Sequence, residues 1–445
     1  MAISAVNRNT VAVSGPAQNN NSAMALVTTL FFMWGFVTCL NDILIPHLRS
    51  IFDLNYAEGM LVQFVFFSGY VIFAFPSGKL VERIGYKRTM ITGLLVMAAG
   101  CVLFLPAASI LSFPLFLGAL IILAAGITAL QVSANPYVSV LGPPQTASSR
   151  LNLTQAFNSL GTTVAPYFGG FLILSAAAPK TIDQLKQMTA PAVEAYKLQQ
   201  ASSVKLPYIL LTIVLILIAV GIALFKLPVI SGVEDEAAKN ELHSGHAGSI
   251  WKQRHLILGV IGIFVYVGAE VAIGSFLVNY FTQPNIGNLT QQTAAFFVSF
   301  YWGGMMVGRF IGSAILRKLP TGAVVGTVGI VAFLLVCTSI LSTGHVAMWS
   351  ILLVGLFNSI MFPSIFTLGI AQLGPLTGEG SGLLIAAIVG GAIIPLLEGV
   401  LADHIGIHYA FMIPAVCYLY IIFYGFRGSR PAPRPNLATH AVAQS

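Results

Sequence analysis

Thr89-Met90-Ile91-Thr92-Gly93-Leu94-Leu95-Val96-Met97-Ala98-Ala99-Gly100-Cys101-Val102-Leu103-Phe104-Leu105 opens a run, residues 89–149, that contains no Asp, Glu, Lys or Arg. About 20 apolar residues cross a bilayer core of about 30 Å as a helix, so this run holds two crossings. A second charge-free run covers residues 319–378. Over all 445 residues, 57% are hydrophobic and 8% charged, where an ordinary soluble domain carries roughly a quarter charged. A water-soluble globule is excluded.

Outward from these runs, twelve apolar segments can be marked: 24–47, 60–81, 88–108, 113–138, 152–177 and 205–226, then 256–281, 293–316, 322–342, 347–371, 380–402 and 408–427. This predicts an all-α membrane protein with two six-helix bundles, residues 24–226 and 255–427. Residues 227–254 form a central linker holding Glu234, Asp235, Glu236, Lys239, Glu241, Lys252 and Arg254. Polar tails occupy 1–23 and 428–445, and the first has no short apolar core with a cleavage site. With the N-terminus inside, only Arg49, Lys180, Lys186, Lys197 and Lys205 among the basic residues fall outside, so both termini are expected in the cytoplasm. The net charge of +7 then reflects cytoplasmic loops and calls for no nucleic acid partner. Cys39, Cys101, Cys337 and Cys417 show no metal or disulfide spacing and read as small core residues. For residues 178–204, a short surface helix and an irregular loop both fit.

The two charge-free runs lie about 230 residues apart, and at nearly that offset Gly78-Lys79 meets Gly308-Arg309, Pro166 meets Pro395 and Asp42 meets Glu270. Two parallel six-helix halves that rock about a central site follow. Between segments two and three stands Gly78-Lys79-Leu80-Val81-Glu82-Arg83-Ile84-Gly85-Tyr86-Lys87-Arg88. Its glycines allow close approach of helix ends, and its basic side chains suit the terminal carbonyls of a neighbouring helix. Gly78, Arg83, Gly85, Lys87 and Arg88, with Arg309 in the second half, are therefore the candidate conformational latch.

This loop resembles the signature loop of the major facilitator superfamily. Trp34-Gly35-Phe36, Asn41-Asp42-Ile43-Leu44-Ile45-Pro46, Ala134-Asn135-Pro136-Tyr137 and Arg150-Leu151-Asn152-Leu153-Thr154-Gln155-Ala156-Phe157-Asn158-Ser159 narrow the resemblance to its fucose, galactose and glucose symporter family, across about 24–427. The resemblance implies sugar uptake coupled to a cation. In the fucose branch a helix 1 Asp and a helix 4 Glu carry the proton. Asp42 matches the former, whereas Gln131 stands where the latter would be, which points to the glucose/galactose branch and leaves the coupling ion open between Na⁺ and H⁺.

Asp42, Glu270 and Glu398 are the acids placed inside helices, where an ionised carboxylate is costly and marks a watery cavity, a bound cation or a proton carrier. Asn41 and Pro46 beside Asp42 predict a locally broken helix whose free carbonyls help hold a cation. Asp42, Gln131, Asn41 and Thr38 are the candidate ion-coupling residues, with Na⁺ at Asp42 as one option. Recognition of a sugar needs amides for its hydroxyls and aromatic faces for its ring. The substrate candidates are Gln63, Gln131, Gln155, Asn158, Glu270, Asn279, Trp302 and Glu398. Trp34, Phe67 and Tyr301 are further platforms. Gln155 and Asn158 lie three apart on one helix face, and the resemblance adds Asn158 as a sugar contact. The absence of paired Arg or Lys from these helices argues for a neutral substrate.

No phosphate-binding Gly-rich loop, HExxH motif or nucleophile–base pair is found, so neither an ATP-driven pump nor an enzyme is expected, and no cofactor. The expectation is a monomeric symporter in the cell inner membrane that imports glucose or galactose. A non-coupled facilitator and a proton-coupled fucose-type permease are the alternatives.

Overall fold

The computed structural model describes residues 20–52, 56–169, 188–228 and 249–431, and every regular element in them is helical. Among the described residues, ten segments are long and apolar enough to cross a membrane. One of these, Phe64–Ser109, has 46 residues, about 69 Å at 1.5 Å per residue, twice what a single crossing needs. It divides at Gly85, whose φ of 77° and ψ of 168° interrupt the helix in a region that costs a residue with a Cβ. Ala147–Gly169, polar on one side through Asn152, Gln155 and Asn158, completes the twelve.

The first half comprises α1 (Asn20–Phe52), α2 (Tyr56–Ser109), α3 (Phe113–Val140), α4 (Ala147–Gly169), α5 (Ala190–Ser202) and α6 (Lys205–Leu224). The Ser112 hydroxyl caps α3 by accepting the Leu115 N–H, with Pro114 in the first turn where no N–H is missed. Here α1 packs on α4, and α2 on α3 and α6. Phe104 stacks on Tyr208 at 4.0 Å within that core. Of the undecided 178–204 stretch, Ala190–Ser202 is helical and 178–187 lies outside the described residues.

The second half comprises α7 (Arg254–Phe281), α8 (Gln291–Ile315), α9 (Thr321–Leu341), α10 (Gly344–Asn358) with α11 (Met361–Gly369), α12 (Thr377–Ala386) with α13 (Gly390–Ile405), and α14 (Ile407–Ala410) with α15 (Met412–Phe423). Each of the last three pairs makes one interrupted crossing. Between α12 and α13 the chain takes a 3₁₀ turn, Ala387–Val389.

Gly406 repeats the device seen at Gly85, with φ 85° and ψ 152°. The sequence around it, Gly399-Val400-Leu401-Ala402-Asp403-His404-Ile405-Gly406-Ile407-His408, echoes Gly78-Lys79-Leu80-Val81-Glu82-Arg83-Ile84-Gly85-Tyr86-Lys87. The function of position two after each glycine is also alike. The Lys87 ammonium donates to the carbonyls of Ala223 (2.9 Å) and Phe225 (3.0 Å) at the end of α6, and His408 Nε2 donates to the Ile340 carbonyl (2.7 Å) at the end of α9. Both place a donor where a helix leaves its last carbonyls unpaired.

The two halves meet along α2 with α12 and α13, and along α4 with α8. This seam is closed at the end of the molecule that carries Arg150 and the 78–88 loop, here called the basic end.

Candidate substrate and coupling site

At the basic end the seam is made of small groups. A Cβ on Gly78 would sit 3.0 Å from the Gly378 carbonyl, and one on Gly382 2.9 Å from the Ala74 carbonyl, so these backbones touch directly. The hydroxyls of Ser148 and Thr367 are 2.6 Å apart, Ser149 donates to the Ser313 carbonyl (2.6 Å), and Ser381 donates to the Val132 carbonyl (3.0 Å). Arg150 anchors the start of α4, its guanidinium bonding the carbonyls of Val138, Ser139 and Pro143.

Arg309, on α8, crosses this seam. One guanidinium nitrogen donates to the Gln155 carbonyl at 3.2 Å and to the Ser159 hydroxyl, and Nε donates to the Ser359 carbonyl at 3.2 Å. The same guanidinium lies within electrostatic reach of the Glu270 carboxylate. The sequence repeat matches Arg309 with Lys79 and makes Arg309 a candidate latch. In the fold, Arg309 sits inside the helix bundle, while Lys79 is exposed above the Phe75 ring. The helices that carry the candidate site therefore do bring an arginine, Arg309, into the bundle, within electrostatic reach of Glu270. Arg83 and Arg88 are exposed.

Of the coupling candidates, Gln131 is 3% exposed and donates through Nε2 to the Tyr70 hydroxyl at 3.1 Å. Tyr70 was not singled out in the sequence, and no motif would have found it. The Thr38 hydroxyl donates to the Trp34 carbonyl one turn back. The side chains of Asn41, Asp42 and Gln63 lie outside the described residues. The expected break at Asn41 and Pro46 is absent, because α1 continues as a helix from Asn20 to Phe52. A proline inside a helix removes a single N–H, a loss that packing against neighbouring helices absorbs.

The amides of α4 have different surroundings. Asn158 donates to the Phe31 carbonyl (2.9 Å) and lies over Gly35, where a Cβ would come within 2.6 Å of its nitrogen. Gln155 is buried, and its amide nitrogen has no partner. Such an orphan donor is unfavourable in a packed interior unless something fills it. Trp34 and Tyr301 are buried, whereas Trp302 is 45% exposed and packs its indole on Gly274. Phe67 is half-buried beside Phe66 and Tyr70, and Asn279 is exposed.

In the second half Asn358 is the hub of a buried network. It donates to the Tyr301 hydroxyl (3.0 Å), accepts from Tyr418 at its side-chain oxygen (2.8 Å), and accepts from Tyr266 at its carbonyl (2.9 Å). The Tyr301 hydroxyl in turn donates to the Glu270 backbone carbonyl (3.2 Å), and the Glu270 carboxylate lies beside Tyr266. Glu398 is 0% exposed and presents no surface to a cavity in this conformation.

The Major Facilitator Superfamily profile matches residues 24–388. A glucose/galactose transporter from Brucella abortus biovar 1 (strain 9-941) is 54% identical over 413 residues, spanning 93% of this chain and 95% of that one. The L-fucose-proton symporter of Escherichia coli (strain K12) is 36% identical over 419 residues, spanning 93% and 95%. The crystal structure of a major facilitator superfamily transporter, FucP, in the outward conformation matches with a TM-score of 0.85 at 35% identity, covering 92% of this chain and 99% of that one. These relatives are transporters and not enzymes. Twelve crossing helices in two halves, a seam shut at one end, and a family match over most of the length agree: the chain is a multi-pass membrane protein of the major facilitator superfamily.

Proposed function

We propose that the protein is a cation-coupled symporter that imports a hexose, glucose or galactose, by alternating access. The observation that carries this is the seam. It joins the halves through hydroxyls, glycines and one arginine, groups that can part and re-form without exposing a large hydrophobic core. The names of the relatives, a glucose/galactose transporter and an L-fucose-proton symporter, supply the substrate class and the coupling.

On this reading residues 24–226 and 255–427 are the moving halves, joined by a cytoplasmic linker at 227–254. The protein works as a monomer in the inner membrane with both termini and the basic end inside. The shut basic end makes this the outward-facing state. Gln131, Gln155 and Asn158 meet the sugar from the first half with Gln63, and Glu270, Asn279 and Trp302 from the second. Glu398, enclosed on every side, is left out of that set. Gly78, Gly85, Lys87 and Arg309 latch the closed end, with Arg83 and Arg88 flanking them.

Asp42, with Gln131, Asn41 and Thr38 around it, takes the coupling cation. Binding of the cation there favours the outward state and raises sugar affinity, so that fully loaded and empty carriers reorient. Gln131 is an amide where the resemblance places a titrating Glu, which favours a single carboxylate at this locus. Uptake into proteoliposomes under an imposed Na⁺ gradient and, separately, an H⁺ gradient tests the reading. Accumulation above equilibrium under one of them is expected. Equilibration alone under both would establish a facilitator.

A further inference from the structure

Glu398 lies on α13, and neither of its carboxyl oxygens has a hydrogen-bond partner. The groups facing it are Tyr301 from α8 and Cys417 and Tyr418 from α15. The two tyrosine hydroxyls donate elsewhere, to the Glu270 carbonyl and to Asn358. From α7, Glu270 acts on the same two tyrosines and lies within electrostatic reach of Arg309. From α14, His408 is committed to Tyr280 and the Ile340 carbonyl. The turn Ala387–Val389 has no titratable side chain, and α2 brings Phe67 against Gly391. Among the described residues no basic group acts on Glu398. A charged carboxylate so enclosed, unpaired and unbonded is strongly disfavoured, so the group is held as a neutral acid.

The crossing that carries Glu398 is also jointed. Its first part, α12, belongs to the shut seam through Ser381 and Gly382. The 3₁₀ turn 387–389 then separates it from α13, where Pro395 removes a further N–H. Parting of the seam draws α12 off Ala74 and Val132 and works on that joint, one helical segment from Glu398.

We propose that Glu398 is a proton-binding site of the second half, separate from Asp42, that is filled while the basic end is shut and emptied when the seam parts. In the step its O–H bond breaks, the electron pair stays on the carboxylate, and the proton passes to water in the opened seam. The site's use in coupling rests on the symporter reading above, but its existence does not.

Infrared spectroscopy of the full-length protein in liposomes, with ¹³C-labelled glutamate, tests it. A protonated carboxyl C=O band that moves with the label is expected at neutral pH. Glu398→Gln is expected to remove the band, and Asp42→Asn and Glu270→Gln to leave it in place. Absence of such a band in the unsubstituted protein, its persistence in Glu398→Gln, or its loss in Glu270→Gln overturns the proposal. Should Glu398→Gln not fold, the unsubstituted protein and Glu270→Gln decide. A protein that accumulates no sugar under either ion gradient yet keeps the band defeats the symporter reading and leaves the proton site standing.

Discussion

Arg309 donates to the backbone carbonyl of Gln155 at 3.2 Å, binding a side chain of the second half to the main chain of the first. Hydrogen bonds that involve a charged group contribute about 1.5–3 kcal/mol. Arg309→Ala is therefore expected to shift the seam toward opening by roughly 10- to 150-fold. Arg309→Lys, which keeps the charge and loses the planar fork, recovers only part of this. Spin-label distances across the basic end check it, and unaltered distances in both variants would refute a latching role.

Asp42→Asn is expected to abolish concentrative uptake while sugar exchange persists. Counterflow and gradient-driven uptake in the same proteoliposomes separate the two, and unchanged accumulation would remove Asp42 from coupling. Installing Glu at Gln131 supplies a second carboxylate beside Tyr70. A gain of proton dependence is expected, whereas an unaltered ion preference would place Gln131 away from the coupling chemistry.

Gly382→Leu tests the direct backbone contact of the seam. Gly382 lies against the Ala74 carbonyl, and overfilling a close-packed contact costs about 1–3 kcal/mol. The basic end is then propped open, with a loss of outside sugar affinity of roughly 5- to 150-fold. Thiol labelling of a cysteine placed at Ser149 should rise in parallel. Labelling that stays at its original rate would show that the contact is not what shuts the end.

The matched hairpins at Gly85 and Gly406 predict an order of stabilities. His408 is buried and serves both Ile340 and Tyr280, so His408→Ala leaves enclosed partners unpaired, at about 1–3 kcal/mol. Lys87 is only half-buried, and Lys87→Met costs about 0.3–1 kcal/mol. Thermal denaturation in detergent should give the larger fall in Tm for His408→Ala. The reverse order would deny the equivalence of the two positions.

The architecture was legible because it is written in long-range composition. The charge-free run 89–149 and the glycine at 85 locate helices and their break without knowledge of any partner. The site was less legible, since what a side chain does depends on what faces it. Arg309 reads as a latch from its echo of Lys79, but what it grips shows only once α4 places Gln155 and Ser159 against it. Glu398 and Glu270 are equivalent as letters, yet one is unpartnered and the other lies beside a tyrosine and an arginine. Asn158, expected as a sugar contact, is an amide tied to α1 through Phe31 and Gly35, a partner its own sequence run does not name. Pro46 misled, because a single missing N–H does not interrupt a helix that its neighbours support. The echo between 78–87 and 399–408 went unread because Lys87 and His408 share a geometry and not a residue type.

The nearness of Arg309 to Glu270, both on the second half, has an electrical consequence. A full elementary charge carried through a membrane potential is worth about 2.3 kcal/mol per 100 mV. Because the guanidinium and the carboxylate ride on the same half, the field does no net work on that pair when the empty carrier turns over. On the proposed mechanism the charge that remains is that of Asp42, cancelled while the cation is bound and bare in the empty carrier, so the potential acts on the return stroke and leaves the loaded one nearly indifferent.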